Sequence, residues 1–255
     1  MSFDQDRYQV AIHTRILGRS PVHFSEIDST SAYLKRLVRS GASDLSDGML
    51  VLADSQTAGY GQQGRTWVSI EAEGFYCSLY HPIQAPTRPF SFMAGLAAID
   101  AIRAIVPNHE VGLKWVNDVV ARGRKLGGIL AEIISRPGGG QALVLGIGLN
   151  LSTPDLPEAI SLSELGARPE REILLAHLMN TLENWFARPD EDVYSQWSLN
   201  SVTLGQRVRV QLPSETLEGR ALELTSNGAL KLQLDEGSFR EVISGSLRLA
   251  DGRYC

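Results

Sequence analysis

The chain has 255 residues and a formal net charge of −5, a length that suits one large domain or a domain of roughly 200 residues with a small one beside it. The acidic balance argues against a nucleic-acid partner, whose phosphates call for clustered Lys and Arg. The start is polar, no apolar run is long enough to span a bilayer, and the two cysteines, Cys77 and Cys255, suggest neither a disulfide framework nor a zinc site, so a cytoplasmic address is expected.

The segment 28–40 predicts a short helix. Asp28, Ser29 and Thr30 can each cap it, Tyr33, Leu34, Leu37 and Val38 form an apolar stripe, and Gly41 can end it. Residues 49–53 have strand length and lead into a glycine-rich stretch, 57–65. A second strand is expected at 74–80 and a long apolar helix over 90–106, stopped by Pro107. Strands then crowd together at 112–116, 118–121, 127–134 and 141–147, with Arg122-Gly123 as a hairpin turn. Residues 152–169, with Pro154, Pro157 and Pro169, read as loop. A helix follows over 171–186, with Leu174, Leu175, Leu178, Leu182 and Trp185 on one side, and a further helical turn over 193–199. Four short β-type runs come last, at 206–212, 217–224, 229–234 and 239–249. Asn227-Gly228 and Glu236-Gly237 separate them, which suggests a small β-barrel with a boundary near 198–203.

The stretch Gly59-Tyr60-Gly61-Gln62-Gln63-Gly64-Arg65-Thr66-Trp67 satisfies G-x-G-x-x-G literally and misses the P-loop pattern by Arg65 in place of Lys. Both patterns need a helix after the loop, because its N-terminus holds the phosphates. The residues that follow here lead toward another strand, and the acid expected about 20 residues on is missing from 81–89. The loop is a surface turn, or it turns successive backbone N–H groups toward an anion with Arg65 adding charge. Lys114, in Gly112-Leu113-Lys114-Trp115-Val116-Asn117-Asp118, is either an edge-strand lysine in solvent or a cation at the mouth of a site. Gly127-Gly128 is a bulge or a place where a ligand meets a strand backbone closely. Ser29-Thr30-Ser31 caps a helix or binds a small polar ligand. The five histidines, His13, His23, His81, His109 and His177, have no metal-ligand spacing.

Together these segments resemble the biotin protein ligase family. The order matches: D-S-T-S at 28–31, Q-T-A-G-Y-G-Q-Q-G-R-T-W at 56–67, K-W-V-N-D at 114–118, R-K-L-G-G-I-L-A-E at 124–132, G-I-G-L-N at 146–150, then the small barrel. The resemblance implies an α/β fold of the α+β type. A mixed-sheet catalytic domain packed with helices would span residues 1–200, and an SH3-like domain residues 201–255. It implies an enzyme that forms biotinyl-5'-adenylate from biotin and ATP with Mg²⁺, then transfers biotin to a lysine of a biotin carboxyl carrier domain. A lipoate or octanoate ligase or transferase on the same scaffold is the alternative. Only about 20 residues precede the matched region, too few for the DNA-binding module of the repressor members, so the ligase-only kind is expected, with no DNA or membrane partner. Sheet-edge homodimers occur in the family.

Carried over by motif, the biotin contacts are Ser29, Thr30, Ser31, Gln56, Gly59, Tyr60, Gly61, Gln62, Lys114, Gly127, Gly128, Ile129, Leu130 and Gly148. The nucleotide side is Gly61, Gln62, Arg65, Thr66, Trp67, Asn117, Asp118, Asn150 and Arg248, and Lys114 and Arg65 are the catalytic cations. No structural metal is implied. The family loop is commonly G-R-G-R-x-G-R-x-W, whereas Tyr60, Gln62 and Gln63 leave only Arg65 cationic here. Ser31 replaces a frequent Asn, and Val116 a frequent Pro.

Overall fold

The computed structural model describes residues 3–69, 74–83, 88–106, 111–152 and 156–254. The expected helix stop at Pro107, the loop proline Pro154, His109 and Cys255 lie outside the described residues. A seven-stranded sheet carries the larger part of the chain. Its strands are β1 (Val22–Ile27), β2 (Leu50–Gln56), β3 (Gly74–Ile83), β4 (Val111–Lys114), β5 (Asp118–Ala121), β6 (Arg124–Ser135) and β7 (Gln141–Asn150). They lie in the order β1-β2-β3-β7-β6-β5-β4. The pair β1 and β2 is parallel and the rest are antiparallel. The sheet is mixed, as expected.

Among the described residues the α-helices are α1 (Gln5–Ala11), α2 (Thr30–Ser40), α3 (Phe90–Ile105), α4 (Arg171–Phe186) and α5 (Asp190–Leu199). Ser29 caps α2 by accepting from the Ala32 N–H, and Gly41 ends it in the left-handed region at φ 65°. Leu34 and Val38 of α2 pack on one sheet face against Val51, Tyr80, Ala142 and Val144. The other face carries α3, which packs against β4, β5, β6 and β7 and, on its far side, against α4 and α5. Being covered on both sides explains why α3 is apolar nearly all round. The same reason makes β7 an almost unbroken apolar run. Leu143, Leu145, Ile147 and Leu149 join the α3 core, while Ala142 and Val144 meet α2.

Sequence reasoning missed α1 and β1. The expected turn at 193–199 extends back to Asp190, behind Pro189, with Asp190, Glu191 and Asp192 at the positive helix start.

The last strands are β8 (Arg207–Gln211), β9 (Thr216–Leu224), β10 (Leu230–Leu234), β11 (Phe239–Val242) and β12 (Ser246–Leu249). They form an antiparallel sheet in the order β11-β10-β9-β8-β12. Val208 and Val210 point inward while Arg207, Arg209 and Gln211 face out, the alternation of a half-buried strand. The expected single run 239–249 is two strands. β11 pairs with β10 and β12 with β8, at opposite edges, so the chain must cross between them. It does so at Gly245, where a Cβ would lie 2.7 Å from Val210 Cγ1.

Candidate functional site

Two rows of paired residues make the floor of a cavity. In one, Ser78 of β3 lies opposite Gly146 of β7, and Gly146 opposite Leu130 of β6. In the next, Tyr76, Gly148, Gly128 and Asp118 are successive partners, and Asp118 pairs with Lys114 at the end of β4. Directly paired residues present their side chains to the same face, so register alone brings Lys114 and Asp118 to the face that carries the glycines. Farther along, α2 covers that face. Beyond the N-terminal end of α2 the floor is left to a cavity of about 270 Å³.

Trp67 lies on the glycines. A Cβ at Gly148 would be 2.6 Å from Trp67 Cζ2, and one at Gly128 would be 2.9 Å from Cζ3. The close neighbour at Gly128 is an indole of the chain itself, and β6 also shifts register against β5 beside Gly127, so a bulge adjoins the glycine pair. Trp67 Nε1 is buried without a hydrogen-bond partner, an orphaned donor at the cavity wall.

One end of the cavity is a hydroxyl cluster. The Ser78 hydroxyl is 2.7 Å from that of Thr30 and 2.8 Å from that of Ser31. The Gln56 carbonyl accepts from the Thr30 N–H at 2.9 Å, and its amide donates to Ser69 Oγ at 2.8 Å. Ser29, Thr30 and Ser31 thus start the helix, and all three also line the cavity.

The glycine loop forms a small hairpin over the cavity, closed by a bridge between Tyr60 and Thr66 around a 3₁₀ turn at Gln62–Gly64. Gly61 N–H donates to Arg65 O at 2.8 Å and Trp67 N–H to Gly59 O at 2.9 Å. These two amides serve the hairpin. Arg65 is exposed, and its guanidinium donates to Gln63 Oε1. The Tyr60 hydroxyl donates to Glu132 Oε2 at 3.0 Å, and Lys35 of α2 donates to Glu132 Oε1 at 2.7 Å. Burial pushes the Tyr60 phenol pKa up, which keeps it a donor.

The other end is charged. Lys114 is only 4% exposed, so the edge-strand reading with its amine in solvent is excluded. Its Nζ stands 3.9 Å from Asp118 Oδ2, and Lys125 Nζ stands 2.6 Å from Asp118 Oδ1. Arg248 of β12 and Glu158 form a bidentate pair at this end. The Arg248 hydrogen bonds hold the Glu158 carboxyl below its usual range against the opposing effect of burial. Asn117 donates to Ile129 O, tying the turn after β4 to β6.

Of the expected residues, Ser29, Thr30, Ser31, Gln56, Tyr60, Gly61, Gln62, Arg65, Thr66, Trp67, Lys114, Asn117, Asp118, Gly128, Ile129, Leu130, Gly148 and Arg248 line this one cavity. Three others stand beside it. Gly59 packs against Trp67 O and Ser69. Gly127 is paired with Leu149, which puts it on the opposite face. Asn150 donates to Lys125 O and Ile160 O and so anchors the loop after β7. Sequence reasoning missed Tyr76, Ser78, Lys125, Gly146, Glu158 and Tyr254, which also line the cavity. The two-residue alternation of β3 and β7 carried a signal for Ser78 and Gly146, but only once the register was known. Among the described residues, no three His, Cys, Asp or Glu side chains gather to hold a metal ion, and no helix is long and apolar enough to cross a membrane.

Comparison with known proteins gives the same outline. The sequence model of the biotin/lipoate A/B protein ligase family matches residues 24–150, and that of the biotin protein ligase C terminal domain matches 203–247. The biotin--[acetyl-CoA-carboxylase] ligase of Mycobacterium tuberculosis is 36% identical over 235 residues, covering 86% of this chain and 85% of that protein. The enzyme of the same name from Paracoccus denitrificans is 32% identical over 233 residues, covering 85% of this chain and 94% of that protein. Among solved structures, the biotin protein ligase of Aquifex aeolicus in complex with biotin and ATP superposes with a TM-score of 0.78 at 26% identity, covering 91% of this chain and 100% of that one.

Proposed function

The chain belongs to the biotin/lipoate A/B protein ligase family, and from that premise we propose that it activates biotin with ATP and attaches it to a carrier-protein lysine. The observation that carries this reading is Lys114, a buried ammonium in the same cavity as the glycine loop and the hydroxyl cluster.

The chemistry follows from the charges. In the first step a biotin carboxylate oxygen bonds to the α-phosphorus of ATP, and the bond to the departing pyrophosphate breaks. Two anions meet, so the site must lower their repulsion, and a buried ammonium does so. Lys114 fills that role, with Lys125 beside it and Arg65 above on the loop. Trp67, seated on the glycines, offers an apolar wall to a compact bicyclic ring, and the hydroxyls of Thr30, Ser31 and Ser78 with Gln56 suit its ureido group. Pairing a polar end with an apolar wall is the usual logic of a small-molecule site. Mg²⁺ would enter with the nucleotide. Asp118 and Glu158 offer the hard oxygen donors it takes alongside phosphates, and when bound it would spread the phosphate charge.

In the second step the amine of a carrier lysine attacks the mixed anhydride and AMP leaves. The loop over residues 57–67 shields that anhydride from water until the carrier arrives. The partner is a biotin carboxyl carrier domain. ATP supply argues for a cytoplasmic enzyme. The same proposal divides the chain at about residue 200, with the catalytic site before it and the SH3-like domain after it. It rests on the second sheet beginning at Arg207 and on the C-terminal family match from residue 203.

The test is incubation with ATP, Mg²⁺, biotin and a carrier domain, followed by intact mass. One biotinyl addition to the carrier is expected. Addition of lipoate but not biotin, when each is offered separately, would replace this reading with the lipoate alternative.

A further inference from the structure

The charged end of the cavity holds an aromatic side chain that the chemistry above does not use. Tyr254 follows the barrel, and its ring centroid lies 3.4 Å from Lys114 Nζ. Its hydroxyl donates to Asp118 Oδ2. A tight turn delivers it there. Leu249 N–H donates to Arg253 O at 3.0 Å, Arg248 Nη1 donates to Gly252 O at 3.3 Å, and Ala250 N–H donates to Arg207 O at 2.9 Å. The segment is a folded extension of the barrel that reaches back into the catalytic half.

An ammonium at this distance from an aromatic face has that side closed to other ligands. A phosphate oxygen cannot approach Lys114 from the same side while the ring is present. Asp118 Oδ2 is likewise engaged by the phenol.

The geometry points to Tyr254 as a residue that sets nucleotide affinity. It holds Lys114 and Asp118 before ATP binds, and the phosphates of ATP must displace it. The inference rests on the ligase reading. It makes part of the chain a competitor of the substrate, so the apparent affinity is lowered by the fraction of molecules in which the ring is seated.

Two measurements on the full chain test it. The first is KM for ATP in biotin-dependent pyrophosphate release, at saturating biotin, for wild type, Tyr254→Phe and Tyr254→Ala. Tyr254→Ala is expected to lower KM by roughly 5- to 30-fold, and Tyr254→Phe, which keeps the ring and loses the hydroxyl, by less. An unchanged or raised KM in Tyr254→Ala overturns the inference and makes the ring a fixed wall of the nucleotide site. The second places 3-fluorotyrosine at position 254 and follows its ¹⁹F resonance as biotin and a non-hydrolysable ATP analogue are added. A narrowed, solvent-like resonance is expected, and one that stays broad overturns the inference. A wild type that releases no pyrophosphate would sink the ligase reading instead, and the fluorine measurement, which needs no turnover, then decides the role of Tyr254 alone.

Discussion

Lys114 shows how much a single residue owes to register. Nothing in Leu113-Lys114-Trp115 says which face the amine takes, and a lysine on a terminal strand usually reaches solvent. Here the outer edge of β4 is occupied. Leu113 N–H donates to Asn200 O and Val202 N–H to Leu113 O, each at 2.9 Å. The row from Tyr76 to Asp118 then carries Lys114 into the cavity. Lys114→Ala removes the charge that offsets two meeting anions. We expect biotin-dependent pyrophosphate release to fall by at least about 100-fold, with the circular dichroism spectrum unchanged. Activity within a few-fold of wild type would remove Lys114 from the mechanism. Its motif made it a candidate, but the burial that decides between the two readings comes from segments 80 or more residues away, such as Thr203, whose hydroxyl accepts from Trp115 N–H.

The glycine loop is legible as an element, while its fastenings are not. Its glycines announce a tight turn; the amides of Gly61 and Trp67 close the hairpin, and side chains fasten the loop further. Tyr60, where the family commonly has arginine, reaches Glu132, and Lys35 neutralises that carboxylate from the other side. The loop is thereby tied to both α2 and β6. Tyr60→Phe loses one hydrogen bond to a charged acceptor and keeps the ring. Cleavage of the loop by a dilute protease should quicken by roughly 10- to 150-fold, reflecting a bond of that class. Equal cleavage rates in the variant and wild type would show that the tie does not hold the loop. The helices α2 and α4 and the barrel strands were legible because their stripes and end signals are local, and α3 because its apolar run is long. By contrast α1 buries only Tyr8 along its seven residues, so it has almost no stripe to read, and β1 gains its shape from pairing with β2.

At the scale of the whole molecule, a carboxylate of α4 helps to fasten the segment that follows α1. Glu183 of α4 accepts from the N–H groups of Arg15, Ile16 and Leu17 at 2.7, 2.9 and 3.0 Å. Burial pushes its pKa up, but those three hydrogen bonds outweigh burial and hold it below the ordinary value. A carboxyl whose folded pKa is depressed stabilises the fold above its unfolded pKa and loses that effect as pH falls through the folded value. Glu183→Gln should therefore cost about 1–3 kcal/mol at neutral pH. The gap to wild type should narrow in denaturant titrations below the unfolded carboxyl value of 4.5. A gap that stays constant into acid would show that charge is not what matters.

The apolar interior runs without a break from α3 into the barrel, through Phe92, Trp197, Val208 and Leu217. Gly228 of a barrel turn lies so close to Phe92 that a Cβ there would sit 2.9 Å from the ring. An interface of that kind leaves the two halves little freedom to melt separately. Scanning calorimetry should record one endotherm whose van't Hoff and calorimetric enthalpies agree, although two families of sequence are joined in the chain.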